Sequence, residues 1–160
     1  MLEFALVGIP TIFLIIAVFE VSMIMWQYHS LAEAVAQAAR YAAAHGQSCH
    51  TSPNTCGITV YDVATAMENQ AVGLLPARIT ITLSTSSDSY GPFTVESRIS
   101  PSHDTTAFPP NDSSAAAGSP ITIAATYAIT NPLYLFWTGT GTLSAPAYTL
   151  GATSTQEILF

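Results

Sequence analysis

The sequence predicts an α+β protein: a long N-terminal α-helix, a second, shorter helix, and a small C-terminal antiparallel β-sheet. Three observations predict this. An apolar run from Phe4 to Trp26 passes without a breaker into the alanine-rich stretch "QYHSLAEAVAQAARYAAAHG". Further on, "TVYDVATAMENQAVGLLPARI" places apolar residues at helical spacing. Beyond it, β-branched residues alternate with polar ones in short runs separated by Pro, Gly and Ser.

Composition narrows the class. The 160 residues suit one domain plus an anchor. Only 8% are charged and 49% are hydrophobic, whereas about a quarter of an ordinary soluble domain is charged. There is no lysine, and Arg40, Arg78 and Arg98 face ten acids for a formal net charge of -7. That balance excludes the electrostatic footprint of a nucleic-acid binder and a basic patch for anionic lipid. The charges are also uneven. Up to residue 32 there are only Glu3 and Glu20, and from Ser113 to Gln156 there are none. A folded but uncharged surface promotes association, so neighbouring molecules are expected to cover part of this region; the alternative is a neutral, Ser/Thr-rich surface left open to water.

The first element is a helix over residues 2–45, about 66 Å long at ~1.5 Å per residue. Its apolar half is long enough to span a bilayer, which takes about 20 apolar residues. It lacks the basic n-region, short h-region and small-x-small site of a secretory signal. Pro10 has no N–H and its ring opposes the carbonyl of Leu6, which predicts a kink or local melting near Gly8 to Pro10. Gly46 is a natural stop. Ala32, Ala36, Ala39 and Ala43 recur at helical spacing and form a smooth ridge that another helix can approach closely. The chain thus divides into residues 1–46, the long helix, and 47–160, an extracytoplasmic head.

In the head, Cys49 and Cys56 of "CHTSPNTC" read as a disulfide closing a small loop. A zinc site with His45 and His50, and a pair of free thiols, are the alternatives; the spacing does not match paired finger patterns. Thr59 with Asp62 resembles a capping box and opens a helix over about 60–73, with Pro76 ending the element. Strands follow at about 78–85 ("RITITLST"), 93–99 ("FTVESRI"), 121–129 ("ITIAATYAI") and 142–150. The Pro/Ser-rich segment 100–119 reads as an exposed, mobile loop, and "NPLYLFWTGTG" as an apolar lobe.

No catalytic set emerges. There is no G-x-S-x-G elbow, and no H-E-x-x-H, P-loop or G-x-G-x-x-G. His103-Asp104 lies in the loop segment, poor support for catalysis. The expectation is a non-enzyme with no cofactor and no metal. The informative residue is Glu20, since a carboxylate in a membrane helix costs about 2.5–3.5 kcal/mol and is usually paired, neutralised or turned toward another helix. Two readings stand: snorkelling toward an interface, and a helix–helix contact. Glu3 and Glu20 lie about 25 Å apart along the axis and point in directions roughly 100° apart, which suggests two separate contacts. One candidate partner for Glu3 is the α-amine of an adjacent subunit. Arg40, the only base on the long helix, is placed to reach Glu68 or Asp62 on the second helix. Glu3, Glu20, Arg40 and Pro10 are therefore the candidate assembly residues.

These residues resemble a family. "LEFALVGIPTIFLIIAVFE" followed by "LAEAVAQAARYAAAHG" is similar to the N-terminal segment of TadE-like proteins, pilin-like subunits of the tight-adherence (Flp-type) pilus system. The matching features are Glu3-Phe4-Ala5-Leu6, Glu20, Ala38-Ala39-Arg40 and Tyr41-Ala42-Ala43. In the tail, Tyr127, Pro132 and Leu133 match the family's "Y-x-x-x-x-P-L" segment. The resemblance covers roughly residues 2–75 and 119–157. It implies insertion in the bacterial inner membrane and then incorporation into an extracellular pilus as a minor or major subunit, supporting adhesion. The implied partners are the lipid bilayer, other copies or related pilins, the assembly machinery and a prepilin peptidase, which would leave a glutamate near the fifth mature position; here the acid is third. The runner-up reading is a single-pass, membrane-anchored extracytoplasmic binding or adhesin module that does not polymerise.

Overall fold

A computed structural model describes residues 2–50, 53–100, 103–129 and 148–159, with residues 2–5 by backbone alone. The first element, α1 (Leu2–Ala43), is one unbroken helix of 42 residues that passes through Pro10. The local melting predicted at Pro10 does not occur. The neighbouring Thr11 hydroxyl donates to the Val7 carbonyl at 2.8 Å. This bond lies one residue along from the Leu6 carbonyl that Pro10 leaves without its N–H donor.

The head is built on a four-stranded antiparallel sheet in the order β2-β1-β3-β4, formed by β1 (Ile79–Ser84), β2 (Ser89–Thr94), β3 (Pro120–Ile129) and β4 (Tyr148–Glu157). Ile79, Ile81 and Leu83 of β1 alternate inward with Ile121, Ile123, Ala125, Tyr127 and Ile129 of β3, while the threonines between them stay partly exposed. Such alternation marks a sheet with one face on the core and one in solvent. On the outer face, the hydroxyls of Thr122 and Thr155 meet across β3 and β4 at 2.9 Å.

The upper half of α1 and the shorter helix α2 (Val60–Gln70) fill the inner face. Leu31, Ala34, Val35, Ala38, Ala39, Ala42 and Ala43 are buried, so the helix enters the head's core and is not a separate stalk. The buried stripe is rotated from the predicted ridge, because Ala32 and Ala36 are only partly covered. The small side chains do permit close approach, and the elements approaching are the chain's own α2, β3 and β4. Helix α2 starts at the predicted capping box: Asp62 Oδ2 accepts from the Thr59 N–H at 2.8 Å, and Thr59 Oγ1 from the Asp62 N–H at 3.4 Å. It ends at Gln70, with Ala71 as its cap.

Three predicted segments differ from the structure. The strand predicted at 93–99 is displaced: β2 runs over Ser89–Thr94, and Val95–Ile99 form a short helix, α3. Phe93 and Val95 are buried as a strand pattern would have them, but Arg98 then folds back over the Phe93 ring at 4.4 Å and pairs with Asp104 at 2.9 Å. The segment predicted as a mobile loop is pinned to the head. Phe108 in it is fully buried, its N–H donates to the Ile58 carbonyl, and the Thr106 carbonyl accepts from the Val60 N–H. Burying one such aromatic contributes about 1.5–3 kcal/mol. The last strand, described over Tyr148–Glu157, continues beyond the predicted end at 150, because it pairs with the whole of β3, from Pro120↔Glu157 to Ile129↔Tyr148. Residues 142–147 and the apolar lobe at 131–141 lie outside the described residues.

Candidate functional site

The two ends of the head can be assigned from its hydrogen bonds. At the upper end, the Leu159 N–H donates to the Ala43 carbonyl at 3.0 Å, tying the end of the sheet to the end of α1. The Cys49–Cys56 disulfide closes the small loop that follows the helix. Both sulfurs are in a covalent bond, so the zinc and free-thiol alternatives fall. Closing so short a loop removes about 2–3 kcal/mol of unfolded-chain entropy by the loop-closure relation. At the lower end, the Ser30 hydroxyl donates to the Val72 carbonyl at 2.9 Å. Gly73, at φ +78°, lies against the indole ring of Trp26, where a Cβ would collide with the ring.

Below this joint, α1 emerges alone. From Leu6 to Trp26 most of its large apolar side chains are exposed, Leu14 to 66%, with Ile16 and Ile24 partly covered. This is the reverse of a soluble amphipathic helix, which hides one apolar stripe. Among the described residues α1 is the helix long and apolar enough to cross a membrane. The polar groups within it are satisfied locally: Thr11 bonds Val7, and the Ser22 hydroxyl donates to the Val18 carbonyl at 2.8 Å. Trp26 and Tyr28 follow at the end of the apolar run, where aromatic side chains mark a membrane–water boundary.

The structure spreads the candidate assembly residues along the helix. Glu3 and Pro10 lie on the exposed half, with the Glu3 side chain outside the described residues. Glu20 is partly covered. Arg40 is exposed on the last turn of α1, and among the described residues no ion pair joins it to Asp62 or Glu68; the salt bridge found is Arg98–Asp104. The upper end of α1 does approach the start of α2. Burial first, and then the Asp62 carboxylate, push the Tyr41 hydroxyl above its ordinary value, and His45 Nδ1 donates to the Tyr41 carbonyl at 2.7 Å. The joint of Trp26, Ser30, Val72 and Gly73 was not legible in advance. Its one signal is the glycine of "AVGLLP", which reads equally well as an ordinary turn.

Residues 1–40 match the family model of TadE-like proteins. The TadE-like segment therefore contains the whole exposed half of α1, the joint residues Trp26 and Ser30, and most of the buried alanine stripe. It stops short of the head from Tyr41 onward, so the resemblance read in residues 119–157 has no counterpart in this match. Of the residues that carried that resemblance, Tyr127 is buried in β3, and Pro132 and Leu133 lie outside the described residues. No curated protein and no solved structure matches the chain.

Proposed function

We propose that the chain is a pilin-like structural subunit of a bacterial tight-adherence-type pilus. It is inserted in the inner membrane by the lower half of α1, then assembled through that same helix into an extracellular filament that supports surface attachment. The observation that carries this reading is a helix buried in its own head at one end and apolar on every side at the other. The TadE-like match on the same residues gives that surface a family context. An apolar helix without an apolar stripe needs lipid or other helices around its full circumference. A filament subunit meets both, lipid before assembly and neighbouring helices after it. Glu20 is the residue for which the two surroundings differ most, since a carboxylate is costly in lipid and useful in a helix contact.

The test is Glu20→Ala in the native host. The expected outcome is loss of sheared surface filaments, with the subunit still in the membrane fraction. Normal filament yield in the mutant, or filaments in which mass spectrometry finds no trace of this chain, would overturn the assembly role and favour the non-polymerising anchored module.

A further inference from the structure

We infer that the lower end of the head is a membrane-contacting foot that rests on the bilayer around the point where α1 enters it. The inference rests on reading the lower half of α1 as a membrane span, and it adds a second contact made by the folded head. Among the described residues outside α1, the exposed large apolar side chains are Val72, Leu75, Tyr148 and Leu159. Leu159 is at the upper end, tied to Ala43. The other three, at 66%, 54% and 54% exposed, are all at the lower end.

Their placement follows from the pairing. Val72 is bonded to Ser30, and Gly73 lies against Trp26. Leu75 leads through Pro76 into Ile79, which pairs with Tyr127, two residues before the Ile129↔Tyr148 end of the β3–β4 ladder. Ten strand residues rise about 33 Å, the length of ~22 helical residues. Counted back from Ala43, to which Leu159 is bonded, that length reaches about Val21, so Tyr148 falls at the level of the Val21–Trp26 turns. Three separate stretches thus bring exposed apolar side chains to the height at which the apolar half of α1 begins.

Charge points the same way. Asp62, Asp88, Asp104, Asp112 and Glu157 all lie at the upper end. Asp62 is in the first turn of α2, and Asp88 is in the turn joining Ser84 and Ser89. The Asp104 carbonyl accepts from Tyr61, Asp112 caps Ser114 near the start of β3, and Glu157 faces Pro120. These five acids are turned away from an anionic bilayer surface. The lower end carries Glu68 in the last turn of α2, Glu96 in the first turn of α3 and the exposed Arg78, and among them Val72, Leu75 and Tyr148 continue the apolar surface of α1. Surface aromatic and aliphatic groups of this kind settle at the boundary between headgroups and acyl chains.

The test uses the full chain in vesicles of phosphatidylcholine and phosphatidylglycerol, with a fluorescent label on single cysteines introduced as V72C, L75C and, in the upper turn, S87C. All three positions are exposed, so labelling leaves the core intact, and omitting reductant preserves Cys49–Cys56. Quenching by lipid brominated in its acyl chains is expected to be several-fold stronger at 72 and 75 than at 87, and unchanged when protein is diluted with lipid. Equal quenching by aqueous iodide at all three sites, in protein that resists carbonate extraction, would overturn the foot and leave the span standing. Release by carbonate would overturn the span itself and the foot with it. Shielding of 72 and 75 that disappears on dilution into lipid would overturn the foot in favour of a contact between copies.

Discussion

The two halves of α1 belong to one continuous helix and obey opposite rules. The lower half carries the larger apolar residues, yet Leu14 is 66% exposed; the upper half is rich in alanine, yet Leu31 and Ala38 are at 0%. Burial within the fold is thus decided by fit and not by oiliness. Small side chains let α2 and the sheet close on the upper half, as dense packing requires. The bulky lower half is left to surroundings the chain does not itself supply.

The sharpest way to break this comparison is a matched pair of substitutions. Leu31→Ala is expected to destabilise the head by about 2–5 kcal/mol, the range for a buried leucine, whereas Leu14→Ala leaves head unfolding in detergent unchanged. Equal effects in chemical denaturation would mean that the halves are not energetically separate. A smaller effect is expected at the joint between them. Gly73→Ala must hold a Cβ at φ +78° against the Trp26 ring, at a cost of about 1–3 kcal/mol, read as a lower denaturation midpoint with altered indole fluorescence. A midpoint matching wild type would show that the joint is loose.

The smallest expected effect belongs to the head alone. The Thr106 hydroxyl leads in holding the Asp104 carboxyl below its ordinary value; desolvation comes next and opposes it, and the Thr106 N–H and the Arg98 guanidinium add to the lowering. A carboxyl whose pKa is lower in the folded state stabilises the fold above the ordinary carboxylate range and loses that contribution as pH falls through the folded value. Asp104→Asn is therefore expected to flatten the acid-side decline of the melting temperature, with no change in the membrane association of α1. An unaltered acid limb would remove Asp104 from the account.

Much of the fold was legible because its signals are local. The unbroken apolar-to-alanine run, the Thr59–Asp62 box and the alternation in β1 and β3 each lie within a few residues of chain. Where signals were long-range they were missed. "GATSTQE" carries almost no apolar alternation, and it is a strand because β3 pairs along its whole length. Phe108 is a lone aromatic in a polar segment, and nothing beside it in sequence reveals that it is buried, bonded through its N–H to Ile58 and edge-on to the Tyr90 ring. The candidate site divides in the same way. The conflict of Glu20 with an apolar helix is visible from composition, whereas the seat of Trp26 on Gly73 joins residues far apart in the chain through a side chain that is absent.

That seat, and the unbroken helix through it, join the lower half of α1 to the head without an intervening linker. Residues 2–43 turn as one rod, and the upper end of that rod is embedded in the sheet domain. Rotation of the lower half about its own axis is therefore transmitted degree for degree to the β-sheet. One residue of helix corresponds to about 100° of turn, so the number of residues between Trp26 and Leu31 acts as a dial. It fixes the compass bearing of the head relative to whatever packs around the helix below.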